Sequence, residues 1–298
     1  MALNFAGRVA LITGAGGGLG RQHALALAAR GAQVVVNDLH EAAVNQVVAD
    51  IRAAGGQALG IACSVSDAQA VQAMVNEVQA QWGRIDILVN NAGILRDKSF
   101  AKLPLDDFRL VMDVHLMGAV HCTQAVWPLM VAQKHGRIVM TSSSSGLFGN
   151  FGQANYGAAK MALVGLMQTL SIEGAKHDIR VNCLAPTAAT QMTEGLLPPD
   201  MLALLTPESV VPALLVLTHD NAPTRVILNA GAGTFAATHI SLTPGVHLGT
   251  GADVDEQLAA VLPQVLDTRH ATVPQSGAEQ GMNEVRQALA ARGADSPR

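Results

Sequence analysis

Residues 8–30 read RVALITGAGGGLGRQHALALAAR, and this stretch decides the fold. Its first six residues form an apolar run of strand length, and 19–30 carries helical spacing. Between them, TGAGGGLG at 13–20 sets Gly14, Gly18 and Gly20 in the spacing GxxxGxG, with Leu19 inside it. Glycines allow a tight turn and let a pyrophosphate come close to the backbone. The helix start behind them offers free N–H groups and the positive end of a dipole. A glycine-rich turn alone is a weak signal. A strand before it and a helix after it make it a predicted dinucleotide site.

The alternation continues outward. Apolar runs at 32–38, 57–63, 85–93, 136–143, 179–186 and 225–231 read as strands, and 41–54, 67–82, 106–132, 154–176 and 207–218 as helices. The strands are apolar throughout, as expected of a parallel sheet covered on both faces. The predicted fold class is α/β: a doubly wound Rossmann-type parallel sheet with helices on both faces and a C-terminal extension. Residues 1–235 are assigned to the sheet domain. Residues 236–298 carry Gly, Pro and Thr clusters and then helical stretches near 253–266 and 278–292. They read as an extension packed on that domain or on a partner subunit.

Hydrophobic residues make up 49% of the 298 and charged residues 14%, enough for a large core. The net charge of -4 comes from scattered signs with no basic stripe, so no nucleic-acid partner is expected. No apolar run approaches the ~18 residues of a membrane span, and no basic segment precedes the first apolar run. Cys63, Cys122 and Cys183 form no CxxC pair, and the histidines show no metal-ligand spacing. A reducing cytoplasmic compartment and no metal are the expectation.

Asp38 ends the second strand, 24 residues after Gly14. A carboxylate there accepts both hydroxyl protons of an adenosine ribose and repels a 2'-phosphate, so NAD is expected over NADP. Arg21 and His40 are near enough to soften that preference. The competing reading of Asp38 is a helix cap. NNAG at 90–93 closes the fourth strand. Asn91 is placed to tie strands together through its amide, and Ala92 and Gly93 leave room for the cofactor.

Tyr156 is the only tyrosine, and Lys160 follows it at i+4 on the same helix face. A phenol with a pKa of ~10 must lose about three units, or about 4 kcal/mol, to serve as a base near neutrality. An ammonium ~4 Å away at an effective dielectric of ~20 supplies about that much. A core tyrosine beside a snorkelling lysine is the alternative. Ser143 tips the balance: it lies thirteen residues earlier, at the end of the fifth strand. A hydroxyl at that carboxyl edge can hold a substrate oxygen beside the phenol.

Together, TGxxxGxG, NNAG and Ser143 with Tyr156 and Lys160 resemble the short-chain dehydrogenase/reductase family over roughly residues 5–235. The resemblance implies that the tyrosine exchanges a proton with the substrate oxygen, the serine orients it and the lysine binds the nicotinamide ribose. Further stretches narrow it: NDL after the second strand, GILRDKSF (93–100), DVHLMGAVHCTQAVWP (113–128), GNFGQANYGAAK (149–160), SIEGAKHDIRVNCLAP (171–186) and VPQS (273–276). These are similar to the dehydrogenase part of the peroxisomal multifunctional enzymes of type 2. That group oxidises (3R)-hydroxyacyl-CoA and also acts on 17β-hydroxysteroids. The chain ends at Arg298 and is expected to stand alone, without a fused hydratase or sterol-carrier domain.

Departures from the broader family are visible. His115 stands where an asparagine usually joins the proton relay, and relay and helix packing are both open to it. Ser64, with Val65 beside it, occupies the place where an aspartate often meets adenine. Pro186-Thr187 replaces the usual Pro-Gly near the nicotinamide. Residues 187–208 are expected to cover the substrate with Met192, Leu196, Leu197, Met201, Leu202, Leu204 and Leu205. No Lys or Arg occurs between Arg180 and Arg225, so CoA phosphates would have to meet Arg96, Lys98 and Lys102.

The expected function is NAD-dependent hydride transfer on a secondary alcohol or ketone, either a 3-hydroxyacyl-CoA or a hydroxysteroid-like apolar substrate. The alternatives are a 3-ketoacyl-carrier-protein reductase and a non-catalytic dinucleotide-binding regulator. A homodimer or homotetramer is expected through the helices near 106–132 and 154–176.

Overall fold

Val9–Ile12 are wholly buried and form β1, the strand that opens the chain. The computed structural model describes residues 3–189 and 198–294. After the glycine turn come α1 (Gly18–Ala28), β2 (Gln33–Asp38), α2 (Glu41–Ala53), β3 (Gln57–Ala62), α3 (Ala68–Trp82) and β4 (Ile87–Asn90). Then follow α4 (Leu105–Met112), α5 (Gly118–Gln133), β5 (Gly136–Thr141), α6 (Ser144–Phe148), α7 (Ala154–Gly174) and β6 (Ile179–Pro186). The series ends with α8 (Pro199–Leu204), α9 (Val211–Thr218), β7 (Ile227–Gly231) and β8 (Thr234–Thr238).

Among the described residues, eight strands make one sheet in the order β3-β2-β1-β4-β5-β6-β7-β8. The first seven are parallel and β8 runs antiparallel to β7. The order reverses between β1 and β4, which leaves a crevice at their carboxyl ends, where ligands of such sheets bind. One apolar cluster joins one sheet face to α1, α2 and α9. The other joins the opposite face to α3, α5 and α7.

Several details depart from the sequence expectation. The long helix expected at 106–132 contains a π turn at Asp113–Met117 between α4 and α5. The extra residue in that turn leaves the apolar period readable, so the pattern alone does not reveal it. β8 and the short α6 were not expected. The segment 234–238 reads TFAAT and is mostly exposed, and pairing with β7 makes it a strand.

The chain separates into two units, Met1–Thr238 and His239–Arg298. The second holds α10 (Val254–Val265) and α11 (Ala278–Ala294). Leu242 and Thr272 exchange both backbone bonds at 2.8 and 2.9 Å, and the Asn283 amide donates to the Pro244 carbonyl. No helix among the described residues is long and apolar enough to cross a membrane, and no cluster of His, Cys, Asp and Glu there could hold a metal.

Candidate active site

Thr13 organises the crevice, and the sequence reading passed over it. Its hydroxyl accepts the N–H groups of Asn91 (3.0 Å) and Ala92 (3.1 Å) and donates to the Val89 carbonyl (3.3 Å). Asn91 answers by donating its amide to the carbonyls of Thr13 (3.0 Å) and Gly14 (3.1 Å). The ends of β1 and β4 are thereby tied together, as the Asn91 reading expects. The glycines are needed for closeness. A Cβ on Gly20 would lie 2.2 Å from the Gly14 carbonyl oxygen, and one on Gly14 (φ +61) 2.8 Å from the Ala92 Cα.

These residues fit a dinucleotide. No side chain caps α1, its first turn holds no acidic residue, and a Cβ on Gly17 would meet nothing within 4 Å. The helix N-terminus formed by Gly17, Gly18 and Leu19 is therefore open to an anion. Asp38 does not cap α2, whose N-cap is His40. Its carboxylate accepts from Gly16 N–H (3.0 Å) and Leu39 N–H (2.7 Å), which fixes it against the glycine turn. Arg21 is held by Asp50 at 2.8 Å. The Ser64 hydroxyl accepts from Ser66 N–H (3.2 Å) in a tight turn, and the Val65 carbonyl meets the His121 ring at 3.0 Å. Pro186 ends β6, and Thr187 N–H bonds the Ala230 carbonyl (2.8 Å).

The catalytic candidates meet at the end of β5. Lys160 is buried and donates from Nζ to the Thr141 carbonyl (2.6 Å), while the Ser142 hydroxyl donates to the Lys160 carbonyl (3.0 Å). Those two bonds fix α7 on the strand end. Ser143 caps α6, accepting from Ser145 N–H (3.2 Å), and its hydroxyl acts on the Tyr156 phenol to lower its pKa. The Lys160 ammonium lies 5.5 Å from the centre of the Tyr156 ring.

His115 sits in the π turn, buried, with its ring edge-on to that of Tyr156 at 5.2 Å. Its Nε2 lies 3.0 Å from Ile94 N and 2.8 Å from the Ile94 oxygen. The ring fills the space beside Gly93, where a Cβ would come within 2.3 Å of His115 Cε1. Among the described residues its Nδ1 has no partner, and neither has the Asn90 Oδ1. Both residues line a small cavity of about 10 Å³ together with Thr13, Val65 and Lys160. Burial, reinforced by Lys160, lowers the His115 pKa to about 3, so the ring is neutral near pH 7.

The electrostatics correct one sequence expectation. The phenol is not made acidic by Lys160 in this structure. Burial raises its pKa, the Ser143 hydroxyl only partly opposes this, and the Asp97 carboxylate raises it further. Burial also lowers Lys160 to about 7, so the ammonium is itself a weakened source of positive charge. Desolvation is the largest cause of both shifts.

Of the residues expected over the substrate, Met192, Leu196 and Leu197 lie outside the described residues. Met201 and Leu204 are exposed on α8. Arg96 and Lys98 are exposed in the loop after β4, and Lys102 ends the short 3-10 turn Phe100–Lys102.

Residues 8–199 match the family model described as short chain dehydrogenase. The peroxisomal hydratase-dehydrogenase-epimerase of Saccharomyces cerevisiae is 50% identical over 243 residues, covering 78% of this chain and 27% of that protein. The solved full-length peroxisomal multifunctional enzyme type 2 of Drosophila melanogaster superposes with a TM-score of 0.82 at 40% identity, over 95% of this chain and 50% of that one. A 7α-hydroxysteroid dehydrogenase, solved with NADH and 7-oxo glycochenodeoxycholic acid, superposes at 0.72 with 30% identity, over 77% of this chain and 95% of that one. The chain thus spans half or less of the two multifunctional relatives and nearly the whole of the steroid enzyme. Matched over most of its sheet unit by the family model and by relatives of this identity, the chain belongs to the short-chain dehydrogenase family.

Proposed function

We propose that this protein is an NAD-dependent dehydrogenase of 3-hydroxyacyl thioesters, interconverting the secondary alcohol and the ketone. The observation that carries this reading is the meeting of Ser143, Tyr156 and Lys160 at the end of β5, beside a crevice built for a dinucleotide. Tyr156 takes the proton of the substrate hydroxyl, Ser143 holds the substrate oxygen, and Lys160 reaches the nicotinamide ribose. When bound, the nicotinamide supplies the hydride acceptor, and its positive charge on oxidation opposes the burial that keeps the phenol protonated.

The choice of NAD rests on Asp38, whose carboxylate faces the glycine turn, and on Arg21 being engaged by Asp50. A 3-ketoacyl-carrier-protein reductase, which usually takes NADP, fits this less well. The thioester class rests on the multifunctional relatives. For a CoA ester, Arg96, Lys98 and Lys102, carried by the loop that bonds to Gly152 and Asn155, would receive its phosphates.

We also infer a homo-oligomer, because Leu110, Met117, Met161 and Ile172 leave apolar surface on α4, the π turn and α7. Three free cysteines suit a cytoplasmic location.

The test is NADH formation with (3R)- and (3S)-hydroxyacyl-CoAs and with hydroxysteroids, run beside Tyr156→Phe. We expect turnover of one hydroxyacyl hand, and a fall of about 10²–10⁴-fold in kcat for the variant. Turnover of steroids alone overturns the thioester reading. Full activity of Tyr156→Phe overturns the role of the phenol.

A further inference from the structure

Asn90 ends β4 and is buried, and its amide nitrogen is committed. It donates to the Thr123 hydroxyl (3.1 Å) and to the Met140 sulfur (3.2 Å). A thioether accepts hydrogen bonds and donates none, so the nitrogen end of the amide faces α5 and β5 and Oδ1 is turned away from them. Oδ1 and the His115 Nδ1 meet no partner among the described residues, and both residues line the same cavity of about 10 Å³. A buried water needs about 10–15 Å³ and two or more polar partners, so the cavity has room for one. Of the other lining side chains only Thr13 and Lys160 are polar. The Thr13 hydroxyl already accepts two amides and donates to a carbonyl. The Lys160 ammonium only donates, so it takes no hydrogen from a water.

We propose that one buried water donates to Asn90 Oδ1 and to His115 Nδ1, and that Asn90 is a positioning residue which by this route holds His115 as its Nε2–H tautomer. An amide oxygen only accepts, so the water gives it one hydrogen and keeps the second for Nδ1. Nε2 is within reach of both the Ile94 N–H and the Ile94 carbonyl, at 3.0 and 2.8 Å, and a neutral ring serves one of them at a time. With Nδ1 accepting, the proton sits on Nε2, which donates to the carbonyl. Lys160 favours the same choice, because a proton on Nδ1 would turn its positive end into a cavity that a cation also lines. The ring that stands edge-on to Tyr156 is thereby fastened to the root of the loop after β4. The tautomer is set in this way whether or not a thioester is the substrate.

The experiment is nitrogen-15 NMR of protein labelled at histidine, in which bare and protonated ring nitrogens resonate far apart. The His115 signals are assigned by their loss in His115→Gln. In the wild type near neutral pH we expect a bare Nδ1 and a protonated Nε2, by about tenfold or more over the other form. A predominant Nδ1–H form overturns the proposal without recourse to any variant. In Asn90→Leu the ratio is expected to fall about tenfold, the worth of one net hydrogen bond. An unmoved ratio in that variant removes Asn90 from the role. With any alcohol that is turned over, Asn90→Leu should lower kcat about tenfold. Added to His115→Gln, it should lower kcat no further than His115→Gln alone. Losses that multiply instead overturn action through His115. Failure of every hydroxyacyl-CoA as a substrate removes the thioester reading and leaves the nitrogen signals, and so the tautomer, as they are.

Discussion

At the scale of the residue, Asp38 shows how one carboxylate serves two ends. Three backbone amides, those of Gly16, Leu39 and His40, hold it beside the glycine turn, and its remaining lone pairs are available to ribose hydroxyls. Replacing it by alanine removes both the acceptor and the repulsion. Asp38→Ala is expected to raise the KM for NAD and lower that for NADP, each by about tenfold, the worth of one charge-assisted bond or one like-charge contact. Steady-state kinetics with both cofactors checks it, and unchanged preference would remove Asp38 from the cofactor site. The position was legible because a carboxylate at the end of the second strand is a local pattern. Asn155 and Asp97 were not, because their partners come from segments more than fifty residues away.

At the scale of the element, the crevice is a product of two strand ends locked by Thr13. A valine there has the same shape but no hydroxyl, so the amides of Asn91 and Ala92 lose their acceptor. Each partly buried donor left unpaired costs about 1–3 kcal/mol. Thr13→Val should lower unfolding stability by about 2 kcal/mol or more in urea and weaken NADH binding measured by fluorescence. Unaltered binding would show that the lock does not shape the cofactor site. Strand β1 and the glycine turn could be read from the sequence. The lock could not, because Thr13 is also the ordinary last residue of an apolar run. The π turn around His115 was hidden for a similar reason, since inserting one residue in a helical turn leaves the apolar spacing on both sides intact.

At the scale of the whole molecule, two histidines set a pH limit. His23 on α1 is fully buried, both its ring nitrogens lack partners among the described residues, and burial lowers its pKa to about 3. His115 is lowered to about 3 as well. From the ordinary value of 6.5 down to about 3, the unfolded chain binds a proton at each that the folded chain refuses. Stability therefore falls as pH falls through that window, by about 1.4 kcal/mol per pH unit for each group, and levels off below it. His23→Leu should flatten the dependence by one such increment, read from urea midpoints across the window. An unchanged slope would mean that His23 is reached by solvent. The sheet and its flanking helices were predictable because burial on both faces leaves continuous apolar strands. A histidine inside that core reads the same in sequence as one on the surface.

The His115 ring occupies the volume that any side chain at Gly93 would need. Positions 93 and 115 therefore draw on a single allotment of space, and a change at one is only as tolerable as the shrinkage at the other. Redesign of this pocket has to move the two as a pair: an alanine at 93 becomes admissible only with a slimmer residue at 115, and that exchange would also withdraw the aromatic edge now resting against Tyr156.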